Sequence, residues 1–248
     1  MSILLDALTL PPESLVNMRV AKKVLAEQAG FASGDKRRIH DEIDTCTWVA
    51  ALKPENTATP SFADDRYEYL EIAIVSLTLR TATKPSRIQE LVHRAIPYPV
   101  LLLTHSPQGE FLSAAHKRAS LGEKNAVVLE ELIHTKAGSG QALFLSSIAF
   151  GRQPKKNLFA LYQGWIACIQ ANNAAAIGGQ YAPAITPKGY AAQRETLAEY
   201  ERLQAEIASV EAEAKKEKQL PKLIALNDRL KTLREKLIIC TESLRFLQ

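Results

Sequence analysis

The stretch IPYPVLLLTHSPQGEFLSAAHKR, residues 96–118, predicts the centre of a β-sheet. An apolar run from Val100 to Thr104 is followed by the polar segment SPQGE and then by a second apolar-rich run, Phe111 to Lys117. Two short apolar runs separated by a turn that contains proline and glycine are typical of a β-hairpin. We therefore predict a strand, a five-residue connection and a returning strand in this stretch.

The residues before this hairpin predict helices and one further strand. Residues 13–28 and 33–53 carry apolar side chains at helical spacing, and Pro54 disfavours continuation of the second helix. The segment YLEIAIVSLTLR, residues 69–80, is rich in β-branched and aliphatic residues and is typical of a strand that is buried on at least one face. A short helix over residues 85–95 is expected to connect this strand to the hairpin.

The residues after the hairpin complete a predicted core domain. Residues 126–133 predict a fourth strand, residues 143–150 fit either a strand or a helix, and residues 157–170 predict an apolar helix. The resulting class is α+β, with a small mixed or antiparallel sheet and flanking helices. We assign this core domain to residues 1–170.

The remainder of the chain predicts a helical hairpin. Residues 171–190 are rich in glycine and proline with almost no charge, which indicates a linker or an ordered loop. Residues 191–248 have the composition of long helices, and Pro221 does not fit a helix interior, so two helices are expected to fold back as an antiparallel coiled-coil hairpin. Its predicted seam, which a partner could cover, consists of Leu223, Leu226, Leu230, Leu233 and Leu237.

The composition is that of an ordinary globular protein, with 46% hydrophobic and 23% charged residues. No segment approaches the run of about 18 uncharged apolar residues expected of a membrane span. The first residues contain Asp6 and lack a basic segment, so we expect no signal peptide and a cytoplasmic location. Cys46, Cys168 and Cys240 are far apart, which indicates buried thiols rather than disulfides or a zinc site.

No familiar catalytic motif is present, because the sequence lacks HExxH, GxSxG, a Walker loop and GxGxxG. We accordingly predict no catalytic residue, metal or cofactor. One alternative stays open, a divergent Mg²⁺-dependent nuclease in which Glu68 or Glu71 acts with Lys117. Its usual acid-x-Lys pattern is broken, because Ala115 stands where an acid is needed.

Basic residues cluster in two places that could contact nucleic acid or an acidic partner. The net charge of +4 is too small to indicate nucleic-acid binding by itself, so the local clusters carry the argument. Phosphate contacts need only reach and positive charge. The candidates are Lys117 and Arg118 at the end of the predicted strand, and Lys215, Lys216, Lys218 and Lys222 at the tip of the helical hairpin.

Several short motifs, taken in order, resemble those of an uncharacterised bacterial family that carries only a domain-of-unknown-function label. They are Trp48 with LKPENT at 52–57, IPYP at 96–99, AAHKR at 114–118, KEKQ at 216–219 and Leu226-Asn227. Members of that family are similar to one another in gene setting, beside helicase and DNA methyltransferase genes of restriction-modification or phage-defence type. The resemblance implies this setting and no particular activity.

These observations lead to three hypotheses. The first is a non-catalytic accessory subunit that docks on a helicase or DNA methyltransferase, with contact to DNA as an option. The second is the divergent nuclease. The third is a homodimeric scaffold in which Leu226, Leu230 and Leu233 pair with a second copy of the chain.

Overall fold

A computed structural model describes most of the protein, over residues 2–28, 30–80, 85–119, 127–138 and 141–246. The chain divides into two compact units, residues 1–169 and residues 170–248. The first unit contains a six-stranded sheet, and the second contains two long helices. The predicted α+β class is confirmed.

The first half of the sheet-containing unit alternates short helices and strands. In chain order its elements are α1 (Ile3–Leu8), β1 (Leu15–Arg19), α2 (Lys22–Gln28), α3 (Ser33–Glu42), β2 (Ile43–Leu52), α4 (Pro54–Thr57), β3 (Phe62–Ala63), β4 (Glu68–Tyr69), β5 (Ile72–Leu79) and α5 (Ser86–Ala95). The remaining elements of the chain are β6 (Val100–Ser106), β7 (Gly109–Ala114), β8 (Lys117–Ala119), β9 (Val127–Leu129), β10 (Ile133–Ala137), α6 (Ala142–Ser147), α7 (Leu158–Gly178), α8 (Pro187–Ala214) and α9 (Leu220–Phe246).

The main sheet is mixed, with the strand order β1-β2-β5-β6-β7-β10. Its neighbouring strands are antiparallel except for β5 and β6, which are parallel and are connected through α5. Parallel neighbours need a crossover of this kind, because a tight turn can join only antiparallel strands. Short strand pairs β3-β4 and β8-β9 lie outside the main sheet.

The two faces of the central strands differ in their surroundings. On one face Val75, Leu77 and Leu102 belong to a hydrophobic core together with residues of α2, α3 and α5. Because side chains alternate along a strand, Ile74 and Ser76 of β5 lie on the opposite face. Ile74 is fully buried there, whereas Ser76 is partly exposed.

The predicted β-hairpin is confirmed, but its connection is shorter than predicted. Strands β6 and β7 are antiparallel, and Ser106 pairs directly with Gly109. The turn therefore consists of Pro107 and Gln108 alone. Gly109 has a φ of 125°, a conformation that residues with a side chain rarely adopt, which explains the glycine at this position.

Two predicted N-terminal helices are partly wrong. Residues 15–19 form β1, and helix begins only at Lys22. Helix α3 ends at Glu42, and the following residues 43–52 form β2 between β1 and β5. The apolar residues of this segment fit both periodicities, and pairing with two neighbouring strands decides in favour of a strand.

The region after the hairpin also differs from its prediction. The predicted strand over residues 126–133 is divided between β9 and β10, and Ala126 lies outside the described residues. Residues 142–147 form helix α6, which resolves the ambiguity in that segment. Helix α7 continues to Gly178, eight residues into the range assigned to a linker. Alanine favours this continuation, because it is the strongest helix former.

Helices α8 and α9 of the second unit fold back on one another. A hydrophobic cluster joins Leu203, Ile207 and Val210 of α8 to Leu230, Leu233 and Cys240 of α9. Pro221 lies in the first turn of α9, where its missing N–H costs no helical hydrogen bond. The helical hairpin is confirmed over residues 187–246, its coiled-coil geometry stays a prediction, and residues 247–248 lie outside the described residues. No described helix is long and apolar enough to cross a membrane.

Candidate functional site

The basic tip of the helical hairpin, residues 215–222, is a candidate binding surface. All four of its predicted lysines are exposed, namely Lys215, Lys216, Lys218 and Lys222. The Glu217 carboxylate accepts hydrogen bonds from the backbone N–H groups of Lys218 and Gln219, at 2.8 and 2.7 Å. The hydrogen bond from Gln219 helps to lower the pKa of Glu217, so this acid offsets part of the positive charge.

The predicted leucine seam is covered by the chain itself. Leu230 and Leu233 are only 6% and 5% exposed, and Leu226 and Leu237 pack against the same cluster with α8. Leu223 is partly exposed. The prediction that these residues form a seam for a partner or a second copy is therefore corrected, because the chain reverses before α9 and α8 covers the stripe.

Other apolar residues of α9 remain exposed. Leu220 and Ile224, which lie at or beside the basic tip, are 67% and 54% exposed. Ile238 and Ile239, further along the helix, are 59% and 63% exposed. Two packed helices bury one stripe each, so the outward stripe has no covering element within the hairpin. These side chains, rather than the leucine seam, are available to a partner.

A groove of about 370 Å³ also opens between α8 and α9. Its lining includes Glu195, Glu199, Lys236, Ile239 and Cys240. The Cys240 thiol lies 3.3 Å from the Thr196 carbonyl oxygen, and burial raises its pKa. A thiol with a raised pKa is a poor nucleophile, so Cys240 has the character of a packing residue.

Lys117 does not lie on a docking edge, which corrects its predicted role in phosphate contact. Its side chain is buried, with 4% of the residue exposed, and its ammonium group donates to the backbone carbonyls of Ile96 and Tyr98. Burial lowers the pKa of Lys117 well below its ordinary value. Arg118, the next residue in β8, is partly exposed and forms a β-bridge with Tyr67.

The structure does not bring together the residues that the nuclease alternative requires. The Glu71 carboxylate pairs with the Lys53 ammonium at 3.2 Å, while Lys117 is bound to backbone carbonyls. Glu68 is exposed in the short strand β4. Within the described part of the chain, no three His, Cys, Asp or Glu side chains come together in a way that could hold a metal ion.

His116 belongs to an aromatic cluster that the sequence did not reveal. Its Nδ1 faces the Tyr69 hydroxyl, and its Nε2 lies 2.7 Å from the Gln163 carboxamide oxygen. Since that oxygen can only accept, Nε2 carries the proton and Nδ1 accepts from Tyr69. The ring also stacks on Phe159 at 5.2 Å between centroids. His116 therefore has a structural role, and its partners come from segments too distant to form a motif.

Comparison with known proteins places the chain in a family without describing its activity. No curated protein and no solved structure matches the chain. A family resemblance was expected from the IPYP and AAHKR motifs, and both lie within the matching range. The family model of the domain of unknown function DUF4391 matches residues 8–237, and the chain belongs to this family.

Proposed function

We propose that this protein is an accessory subunit of a bacterial restriction-modification or anti-phage system that docks on a helicase or DNA methyltransferase through its helical hairpin. The observation that carries this proposal is the exposure of apolar and basic side chains together at one end of α9. Leu220 and Ile224 are mostly exposed there, and the lysines of the basic tip lie close to them in sequence. The gene setting implied by the family resemblance supplies the class of partner.

The chemistry of this surface suits a protein partner with an acidic rim. Burial of a large aliphatic side chain contributes about 1.5 to 3 kcal/mol, so Leu220 and Ile224 could anchor a contact. The lysines would then contribute to orientation and association rate more than to affinity, because exposed charges are screened by solvent and salt. The internal leucine seam would hold the two helices in register beneath this surface.

Contact with DNA is the second part of the proposal. Lysine ammonium groups bind phosphates as point charges and need no fixed geometry. With four lysines at the tip and one nearby glutamate, the expected affinity is low and strongly dependent on salt. DNA held by the partner would raise the effective concentration at the tip, so weak contact could still contribute in a complex.

Co-purification with the products of neighbouring genes tests the docking role. Tagged natural chain is expected to retain the helicase or the methyltransferase, and the double variant Leu220→Asp/Ile224→Asp is expected to lose it. Lys231→Gln, an exposed change elsewhere on α9, serves as the matched control and should retain the partner. A natural chain that retains neither partner and binds no DNA would reject the proposal.

The DNA contact is tested separately with a variant of the tip. Replacing Lys215, Lys216, Lys218 and Lys222 by glutamine should weaken DNA binding by the assembled complex and reduce its dependence on salt. The partner should still be retained, since the apolar anchors are intact. Unchanged DNA affinity in this variant would remove the tip from the DNA interface.

A further inference from the structure

A serine, a histidine and a glutamate lie side by side on one face of the main sheet. This face is opposite to the hydrophobic core that the sheet forms with α2, α3 and α5. Ser76 is on β5, His105 is on β6 and Glu110 is on β7, three strands that are neighbours in the sheet. In the strand register His105 pairs with Thr78 on one side and with Glu110 on the other. Paired residues share a face, and Ser76 lies two residues from Thr78, so all three candidates project from the same face.

Both ring nitrogens of His105 are used in this arrangement. The Ser76 Oγ lies 3.2 Å from Nε2, and a Glu110 carboxylate oxygen lies 3.4 Å from Nδ1. The other carboxylate oxygen of Glu110 accepts hydrogen bonds from the Ser2 hydroxyl and the Leu4 backbone N–H, both at 3.1 Å. Glu110 is thereby held in place from the side of α1, with one oxygen left facing the imidazole.

The surroundings of these residues are polar and accessible. The side chains of His105 and Glu110 are 24% and 21% exposed, and Ser76 is partly exposed as well. Thr47 of β2 pairs with Ser76 of β5, and Thr78 of β5 pairs with His105 of β6. Two further hydroxyl residues are therefore neighbours of Ser76 and His105 in the sheet. Along β5 this face changes from buried isoleucines to partly exposed hydroxyl residues, so a polar group can reach this end of the strand.

We propose that Ser76, His105 and Glu110 form a nucleophile, general base and orienting carboxylate that cleave carboxylic esters. The order of groups is that required for an activated serine, in which a base takes the hydroxyl proton and a third group fixes the base. This activity goes beyond the docking role proposed above and does not depend on it. It would make the chain an accessory subunit with chemistry of its own.

The reaction uses only the three side chains, the ester and water. Ser76 Oγ attacks the ester carbonyl carbon while His105 Nε2 takes the hydroxyl proton, and a tetrahedral intermediate forms. Its collapse breaks the bond to the leaving alkoxide, which takes the proton from Nε2 and departs as an alcohol. Water, deprotonated by the same nitrogen, then attacks the acyl-serine to give a second tetrahedral intermediate. Its collapse breaks the bond to Ser76 Oγ, which takes the proton back from Nε2, and the carboxylic acid departs. No oxidant or reductant is needed.

Esters fit this site better than amides. Thr47 pairs with Ser76 in the strand register, and Thr78 lies two residues further along β5 on the same face, so their hydroxyl groups are the candidate donors to the oxyanion. An alkoxide also leaves with less help from a general acid than the nitrogen of an amide. The carboxylic ester is therefore the substrate class we assign.

A purely structural role for the same residues makes different predictions. In that case Glu110 would cap α1 and His105 would merely fill the space between Ser76 and Glu110. Ser76 would then be an ordinary serine, unreactive towards electrophiles. A fluorophosphonate probe distinguishes the two roles, because it phosphonylates activated serines with loss of fluoride.

The full chain is treated with the probe, and the modified residue is located by mass spectrometry of peptides. Labelling of Ser76 is expected, and the His105→Gln variant should label at least about a hundred-fold more slowly. In His105→Gly, added imidazole should restore labelling, a result that a structural histidine would not give. Thr45→Val, on the same face of the sheet in the neighbouring strand β2, is the matched control and should label at the natural rate.

Glu110 is tested as a positioning residue. Glu110→Gln should slow labelling about ten-fold or more and change the dependence of the labelling rate on pH. Glu68→Gln, the same change at an exposed carboxylate of β4, is the matched control and should label normally. Hydrolysis of p-nitrophenyl acetate should fall in the same order among the variants. Failure of the natural chain to label at Ser76, or equal labelling of the His105→Gln variant, would overturn the assignment.

Discussion

The two units of the protein differ in which side chains they bury. The sheet-containing unit buries a lysine, whereas the helical hairpin exposes large aliphatic side chains. In the sheet-containing unit the lysine of the AAHKR motif, Lys117, is 4% exposed, with its ammonium group on backbone carbonyls. In the helical hairpin Leu220 and Ile239 are 67% and 63% exposed, although both are large aliphatic residues. The identity of a residue therefore does not decide its exposure in either unit.

The number of packed layers explains this difference. The main sheet packs against α2, α3 and α5 on one face, and even Lys117 in the short strand β8 beside this sheet is enclosed. The helical hairpin has only two helices, and one stripe of each is buried in their shared cluster. An outward apolar side chain in this unit has nothing within the hairpin to cover it, which is the property expected of a binding surface.

Reversing the charge of a buried and of an exposed lysine is the strongest test of the comparison. Lys117→Glu would place a carboxylate against two carbonyl oxygens, and we expect it to lower the free energy of unfolding of the sheet-containing unit by about 3 kcal/mol or more. Lys216→Glu at the basic tip should change stability by about 0.5 kcal/mol or less. Both tryptophans, Trp48 and Trp165, lie in the first unit, so fluorescence during urea unfolding reports on it. Similar midpoints for the two variants would contradict the burial of Lys117.

Truncating apolar residues on the two sides of α9 tests the other half of the comparison. Leu230→Ala, at a position 6% exposed, should destabilise the helical hairpin by about 2 to 5 kcal/mol. Ile238→Ala, at a position 59% exposed, should change it by about 0.5 kcal/mol or less. Hydrogen exchange of backbone amides in residues 187–246 measures this unit alone. Equal protection in the two variants would mean that the leucine seam is not packed against α8.

Local patterns predicted much of the fold. The β-hairpin followed from its turn residues, and the helical hairpin followed from the leucine spacing together with Pro221. Strand β2 was missed, because the apolar residues of 43–52 fit a helix as well as a strand and only pairing with β1 and β5 decides between them. Such pairing is not visible in a local window of sequence.

The candidate site residues could also be predicted only where the signal is local in the sequence. The basic tip could be predicted, because exposure is the default state of a lysine-rich turn. The burial of Lys117 could not, since its hydrogen-bond acceptors are carbonyls 19 and 21 residues away along the chain. The line of Ser76, His105 and Glu110 likewise spans three strands and forms no sequence motif. Its geometry arises only from the strand register.

The dependence of stability on pH gives the most specific test of the comparison, with the smallest effect for each step of one pH unit. Burial lowers the pKa of Lys117 in the folded chain well below 10.5, which is its ordinary value in the unfolded chain. At a pH between the folded and the unfolded pKa, the unfolded chain therefore binds more protons than the folded chain. The contribution of Lys117 to the free energy of unfolding of the first unit should therefore rise as the pH increases towards about 10.5, by at most about 1.4 kcal/mol per pH unit. Lys117→Met should remove this part of the slope, whereas Lys216→Met should keep it.

Tryptophan fluorescence in urea, repeated between about pH 7.5 and pH 10, measures the slope. The range begins above the ordinary pKa of histidine because burial also lowers the pKa of His93, whose contribution is lost below about pH 6.5. In the natural chain and in Lys216→Met the difference from Lys117→Met should grow with pH. If the three slopes were the same, Lys117 would carry the same charge in the folded and unfolded chains, and its ammonium group would have to be in contact with water.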